Sequence, residues 1–315
     1  MFNPAIEQYE KNYFVKKHNL EMNGAVQAVY GFSNENLRKY MKHMNIQDGK
    51  VATVGSSLDQ AFYSVFLGAE AVTVIDGNPY AKPMGELKIS AVKNMSLQEF
   101  NDYWQYKKIF DPKIYRHLLH DVSKSSRDFI EHVASGSVGR IFDPMSFYST
   151  AIADGDIYKV SCSKACEFYD NEESFAKLKA RLEDVDIDIR LAEFSEFPKK
   201  LEGEQYESIL LSNIYNYAFS TKGFFETAKA LIDGNLARHG TMQMHYRLHT
   251  SPKSKINETI LTELPNYGKC KQYSFNCSVD NVIDDMDWAT RFKHNFGKRK
   301  EMLDKRKEDV YIYEK

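Results

Sequence analysis

The sequence predicts an α/β protein: a doubly wound, mostly parallel, seven-stranded sheet with a helical insertion. Three observations predict it. Val51–Val54, then QAFYSVFL (Gln60–Leu67), then Ala71–Ile75 give strand, helix and strand within about 26 residues, the spacing of a βαβ unit. Both strands are apolar on both sides rather than alternating, as strands covered on both faces are. After a long helical stretch, helix and strand patterns alternate again from Ser174 onward.

Taken in order, residues 1–48 read as a mostly helical N-terminal segment, with Ser33 placed to cap NENLRKYMKHM and Leu37, Tyr40 and Met41 on one face. Residues 49–315 form the sheet domain. The first strand runs into VGSSLDQAF, the first helix stops at Gly68, and the second strand ends on Asp76. A helix is expected over 81–94. Residues 96–170 hold LQEFNDYWQYKKIF, KIYRHLLHDV and RDFIEHVA, then the connection SGSVGRIFDP. That is too much chain for a loop, so it reads as an insertion over the ligand-binding edge of the sheet. FAKLKARLE leads into the third strand, Asp186–Leu191, and Tyr206–Ser212 is the fourth. In the next helix, Phe224, Phe225, Ala228, Leu231 and Ile232 form an apolar stripe. Gly240 is expected to open the fifth strand, TMQMHYR. KQYSFNC, a charged helix near 284–306 and Val310–Tyr313 complete the set.

Composition excludes several classes. A formal net charge of -2 gives no global basic field for nucleic acid. No run reaches the roughly 18 apolar residues of a membrane span, and MFNPAIEQYEKNYF lacks the apolar centre of a signal peptide. Four cysteines in 315 residues are too few for a disulfide framework, so a reducing, cytoplasmic setting is expected. Cys162 and Cys166 have no second pair at zinc spacing, and His117 with His120 lack a third ligand, so no metal is expected.

In a doubly wound sheet, ligands bind beyond the carboxyl ends of the strands, where strand order reverses. The loops Gly55–Gln60, Asp76–Pro79, Glu193–Phe194 and Ser212–Tyr217 should therefore hold the site. Asp76 stands 21 residues after Gly55 and can accept from both hydroxyls of an adenosine ribose, with Asn78 in the same turn. VGSSLDQAF has one glycine, which suits a pyrophosphate poorly and S-adenosylmethionine well. Ser56 and Ser57 can donate to its carboxylate, and Asp59 or Gln60 can accept from its ammonium. Glu193 can accept from an adenine amino group while Phe194 stacks on the ring. In LSNIYNY, which falls in the expected site loop from Ser212, the asparagines and Tyr215 and Tyr217 can orient an acceptor by hydrogen bonding, and a tyrosine can relay a proton. His245, at the end of the fifth strand, is a further candidate base.

These residues resemble the betaine-lipid synthase type of 3-amino-3-carboxypropyl transferase. VGSSLDQAF, VIDGNPYAKPMGELKISAVKNMS, SGSVGR and YESILLSNIYNY match in order over roughly residues 50–220. The resemblance implies a class I methyltransferase-like Rossmann fold, with S-adenosylmethionine held at Gly55, Asp76 and Asn213. It implies transfer of the aminocarboxypropyl arm to a small-molecule or lipid nucleophile. Asn216 departs from it, standing where an acid is expected. A small-molecule methyltransferase and a non-catalytic S-adenosylmethionine-binding protein are the alternatives. The basic run Phe292–Lys307 reads as a solvated helix face, with peripheral membrane contact the other reading.

Overall fold

A computed structural model describes residues 21–22, 25–26, 32–33, 35–55, 57–78, 81–105, 116–128, 166–217, 221–248, 269–276 and 307–315. The SGSVGR connection, Cys162 and the basic run up to residue 306 lie outside them.

Residues 32–48 contain one four-residue helix, α1 (Leu37–Tyr40), continued by a 3-10 turn at Met41–His43. The helix starts later than expected, with Asn36 at its N-cap position. Ser33 instead turns the chain locally, its hydroxyl accepting from the Glu35 amide at 3.1 Å. Upstream, Glu21–Met22 pairs with Ala25–Val26 in a separate two-stranded hairpin, where helix was expected.

The sheet strands are β1 (Lys50–Val54), β2 (Ala71–Asp76), β3 (Ile187–Leu191), β4 (Tyr206–Leu210), β5 (Leu236–Leu248), β6 (Lys269–Asn276) and β7 (Lys307–Glu314). Their order is β3-β2-β1-β4-β5-β7-β6. β3, β2, β1, β4 and β5 run parallel to one another, and β7 inserts antiparallel between β5 and β6. This is the class I methyltransferase-like form of the Rossmann sheet: the doubly wound order with an antiparallel seventh strand. Connecting it are α2 (Asp59–Phe66), α3 (Ala81–Asn94), α4 (Leu97–Phe100), α5 (Glu172–Asp184), α6 (Phe197–Lys200) and α7 (Thr221–Gly234).

Alternation along the strands feeds two cores. Val51, Val72, Val74, Leu210, Tyr246, Val310 and Ile312 face a core shared with α1, α2, α3 and α5. Ala52, Val54, Ile75, Ile209, Leu211, Met242, Met244 and Tyr311 face the core under α6 and α7. The described part of the insertion joins the first core: Phe100 stacks between Trp104 and Tyr169, with ring centroids at 5.6 and 5.3 Å.

Gly68 closes off α2 as expected, at φ 106. β5 begins at Leu236, before Gly240. Its pairing with β4 jumps from Tyr206↔Leu236 to Ser208↔Thr241. His239 lies at φ 65, and a Cβ on Gly240 would sit 2.9 Å from the Ala237 carbonyl oxygen. Gly240 thus accommodates an irregularity inside the strand, which a period-two pattern cannot reveal.

Candidate functional site

The strand order reverses between β1 and β4, which are paired directly from Val51↔Ser208 to Thr53↔Leu210. The loops leaving these two strands therefore part around a crevice, the position where doubly wound sheets take ligands.

On the β1 side, the Gly55 amide donates to the Ile75 carbonyl at 3.1 Å, so the chain continues against β2 beyond the strand. That brings Gly55 beside Asp76. A Cβ on Gly55 would lie 2.7 Å from both Cβ and Oδ2 of Asp76. The missing side chain is the space that the acid occupies. Asp76 Oδ1 accepts from the Asn78 amide at 2.8 Å, which fixes the turn, and both residues are partly exposed. An acid at this rim fits the sugar of an adenosine ligand.

The rest of the loop is held from below. Leu58 takes φ 66, and its amide donates to the Gly55 carbonyl at 2.9 Å. Asp59 is fully buried and Lys88 nearly so, at 0% and 3% side-chain exposure, and they form an ion pair at 2.7 Å. The Lys88 ammonium also donates to the Ser57 carbonyl at 2.8 Å and lies 4.7 Å from the Phe32 ring centre. Asp59 Oδ1 further accepts from the Tyr169 hydroxyl at 2.8 Å, and Oδ2 from the Ser33 amide at 2.5 Å. Asp59 is thus engaged by protein donors, and the expectation that it meets a ligand ammonium gives way to an anchoring role. Ser57 is buried, its hydroxyl accepting from the Asp59 amide at 3.3 Å. Gln60 is turned inward as well: it accepts from Thr53 at 2.8 Å and donates to Glu35 at 3.0 Å and Tyr40 at 2.8 Å. Ser56 lies outside the described residues.

Beyond β3, Glu193 opens a 3-10 turn, its carbonyl accepting from the Glu196 amide at 2.8 Å. The partly exposed Phe194 stacks on Phe224 of α7 at 5.5 Å and meets Phe197 edge-on at 5.3 Å. These contacts fix the orientation of a ring that stays partly exposed.

Beyond β4, Ser212 takes φ 53, a conformation that costs a non-glycine residue on the order of 1 kcal/mol. Partners hold it there. Its amide donates to Gln243 Oε1 at 2.6 Å, and its carbonyl accepts from Gln243 Nε2 and the Tyr246 amide, each at 3.0 Å. Asn213 follows, partly exposed. Tyr215 and His245 are each 2% exposed; their rings meet edge-on at 5.7 Å, with Phe224 and Tyr311 as further ring partners. The structure brings these two candidate bases together but sets Tyr215 in the α7-side core. For Tyr217 the backbone is described, in the 3-10 turn Ile214–Tyr217.

One residue in the crevice escaped every sequence motif. Glu35, 1% exposed, accepts from the Ser212 hydroxyl, from the Tyr40 hydroxyl at 2.7 Å and from Gln60. Burial pushes its carboxyl up to about 7, and the nearby Glu308 charge adds to this, against the pull of the three hydrogen bonds. Acids inside a helical pattern normally face water, and only the fold places this one between the β1 and β4 loops.

No family model matches the chain, and no curated protein does. Solved structures align over most of it at low identity. A SAM-dependent methyltransferase from Thiobacillus denitrificans, in complex with S-adenosyl-L-homocysteine, is 9% identical over 99% of this chain and 98% of its own, at TM-score 0.38. The phosphoethanolamine N-methyltransferase 2 of Haemonchus contortus is 9% identical over 96% of this chain and 59% of its own, at 0.39. The rRNA methyltransferase aviRa of Streptomyces viridochromogenes is 10% identical over 75% of this chain and 80% of its own, at 0.33. The fold assignment rests on the chain's own strand order. Among the described residues, no helix is long and apolar enough to cross a membrane, and no cluster of metal-ligating side chains occurs.

Proposed function

We propose that the chain is an S-adenosylmethionine-dependent transferase acting on a small-molecule or lipid nucleophile. The observation that carries this reading is the Gly55–Asp76 contact. A strand-end acid reaches the rim of the β1/β4 crevice only because the residue beside it has no side chain. Asp76 would hold the ribose, Phe194 would stack on the adenine, and the Ser57–Gln60 backbone, pinned by Lys88, would form the floor. When bound, the sulfonium supplies an activated carbon. The protein's part is to place an acceptor in line with that carbon and to keep water out, which lowers the barrier by orientation.

The finer reading is transfer of the 3-amino-3-carboxypropyl group. It rests on the resemblance carried by the D-x-N-P…E-L-K and L-S-N-I-x-x-Y runs. In the fold, the lysine of that run, Lys88, ties α3 to the loop after β1. Incubating the protein with S-adenosylmethionine and a panel of amine, hydroxyl and lipid acceptors, followed by mass spectrometry, tests the reading. Methylthioadenosine is the product expected. S-adenosylhomocysteine would replace aminocarboxypropyl transfer with methylation, and an unchanged cofactor would leave a binding protein.

A further inference from the structure

Glu35 belongs to the segment before the sheet, yet its carboxyl sits at the sheet's switch point. On one side it accepts from Gln60, the second residue of α2, which is itself tied to Thr53 of β1. On the other it accepts from the hydroxyl of Ser212, just beyond β4. A single carboxyl thus bridges the two loops whose parting forms the crevice.

The hydrogen-bond directions matter. A hydroxyl has one proton. When Glu35 is ionised, the Ser212 proton goes to it in preference to the Asn213 side-chain oxygen at 3.4 Å, and the serine oxygen's remaining lone pair can only accept. Ser212 is partly exposed and its backbone is clamped in a strained conformation by Gln243 and Tyr246. With Glu35 ionised it therefore presents a fixed acceptor, backed by a carboxylate, at the place where a ligand would bring positive charge. Asp59, the acid expected there from the sequence, is paired with Lys88.

Burial first, and then the Glu308 charge, oppose the ionisation of Glu35, while the hydrogen bonds from Ser212, Tyr40 and Gln60 favour it. Tyr40 comes from its own segment, Tyr246 from β5 and Glu308 from β7, while Gln60 and Ser212 are neutral donors; Cys166 faces Tyr40. The Asp59–Lys88 pair one residue from Gln60 is internally balanced. Burial, helped by a second carboxylate nearby, makes a neutral Glu35 the easier state, and an arriving cation reverses that preference.

We propose that Glu35, acting through Ser212, is a proton-linked positioning residue for the sulfonium of S-adenosylmethionine: its carboxyl holds a proton in the free chain and releases it to solvent when the sulfonium docks beside the Ser212 hydroxyl. The proposal rests on the transferase reading above. It makes affinity depend on ligand charge, so the cationic substrate is favoured over the neutral thioether left after transfer.

Calorimetric titrations of the full chain between pH 6 and pH 8 test it, with S-adenosylmethionine and S-adenosylhomocysteine as probes. One linked proton changes affinity by up to about tenfold per pH unit. The wild type is expected to gain affinity for S-adenosylmethionine with rising pH by about tenfold more than Glu35→Gln does, and the excess is smaller for S-adenosylhomocysteine. If Glu35→Gln does not fold, Ser212→Ala decides, because it leaves the carboxyl and removes its link to the ligand; the excess slope is expected to shrink there too. Identical slopes in wild type and variant, or equal excesses for both probes, overturn the proposal while leaving the transferase reading intact. Failure of the wild type to bind either probe at any pH overturns both.

Discussion

Gly55 and Asp76 share one space: a methyl group on the first would lie 2.7 Å from the carboxylate oxygen of the second. The contact explains why a loop with a single glycine keeps it here. Gly55→Ala should push Asp76 off the rim, since its Cβ is also at 2.7 Å and cannot simply swing away. Overpacking of this kind costs about 1–3 kcal/mol of stability. Ligand binding should suffer beyond that, with S-adenosylmethionine affinity falling at least about tenfold, a further 1.4 kcal/mol. Thermal melts and calorimetry on the same variant separate the two effects.

Lys88→Met should be among the most damaging single changes in the chain. It strands the carboxylate of Asp59 at 0% exposure, and breaking a buried pair costs about 3–5 kcal/mol. Adding Asp59→Leu to Lys88→Met should restore part of the loss, because both charges are then gone. Denaturant unfolding of the two single variants and the double variant checks the sign of that coupling.

Glu35 gives stability a pH dependence with a defined sign. Its carboxyl moves from an ordinary 4.5 to about 7 on folding, so between these values the folded chain holds a proton that the unfolded chain has lost. Stability is then highest below pH 4.5 for this group and falls as pH rises through the window, by about 3 kcal/mol in all. Glu35→Gln should flatten the difference between urea midpoints measured at pH 5 and pH 8. A variant as pH-sensitive as the wild type would place the proton elsewhere.

Phe194→Ala removes a partly exposed ring held at 5.5 Å from Phe224. Stacking of this kind is worth about 0.5–1.5 kcal/mol. Affinity for S-adenosylmethionine and for plain adenosine should fall together, by up to about tenfold. Loss confined to S-adenosylmethionine would mean that the ring does not meet the adenine.

The fold was legible because its signals are local. Val51–Val54 and Ala71–Ile75 are apolar runs at βαβ spacing, and Asp76 closes the second of them. The loop arrangement was legible where Gly55 meets Asp76, since chain order and spatial order coincide there. It was misread where distant segments meet. Nothing near Asp59 in the sequence announces Lys88 at 29 residues' distance or Tyr169 at 110. Glu35 meets Ser212 across 177 residues and reads locally as one more helix-surface acid. The early start of β5 was hidden for a different reason, since a bulge at His239–Gly240 breaks the period by which a strand is recognised.

Calorimetry of the wild type and of Asp76→Ala with S-adenosylmethionine tests the central claim most directly. Asp76 is partly exposed and its side-chain acceptor role in the turn is local, so the variant should fold. The account predicts saturable binding by the wild type and a loss of at least about tenfold in the variant, the weight of a charge-assisted hydrogen bond to a ribose hydroxyl. No heat of binding in the wild type, or equal affinity in the two proteins, would contradict it.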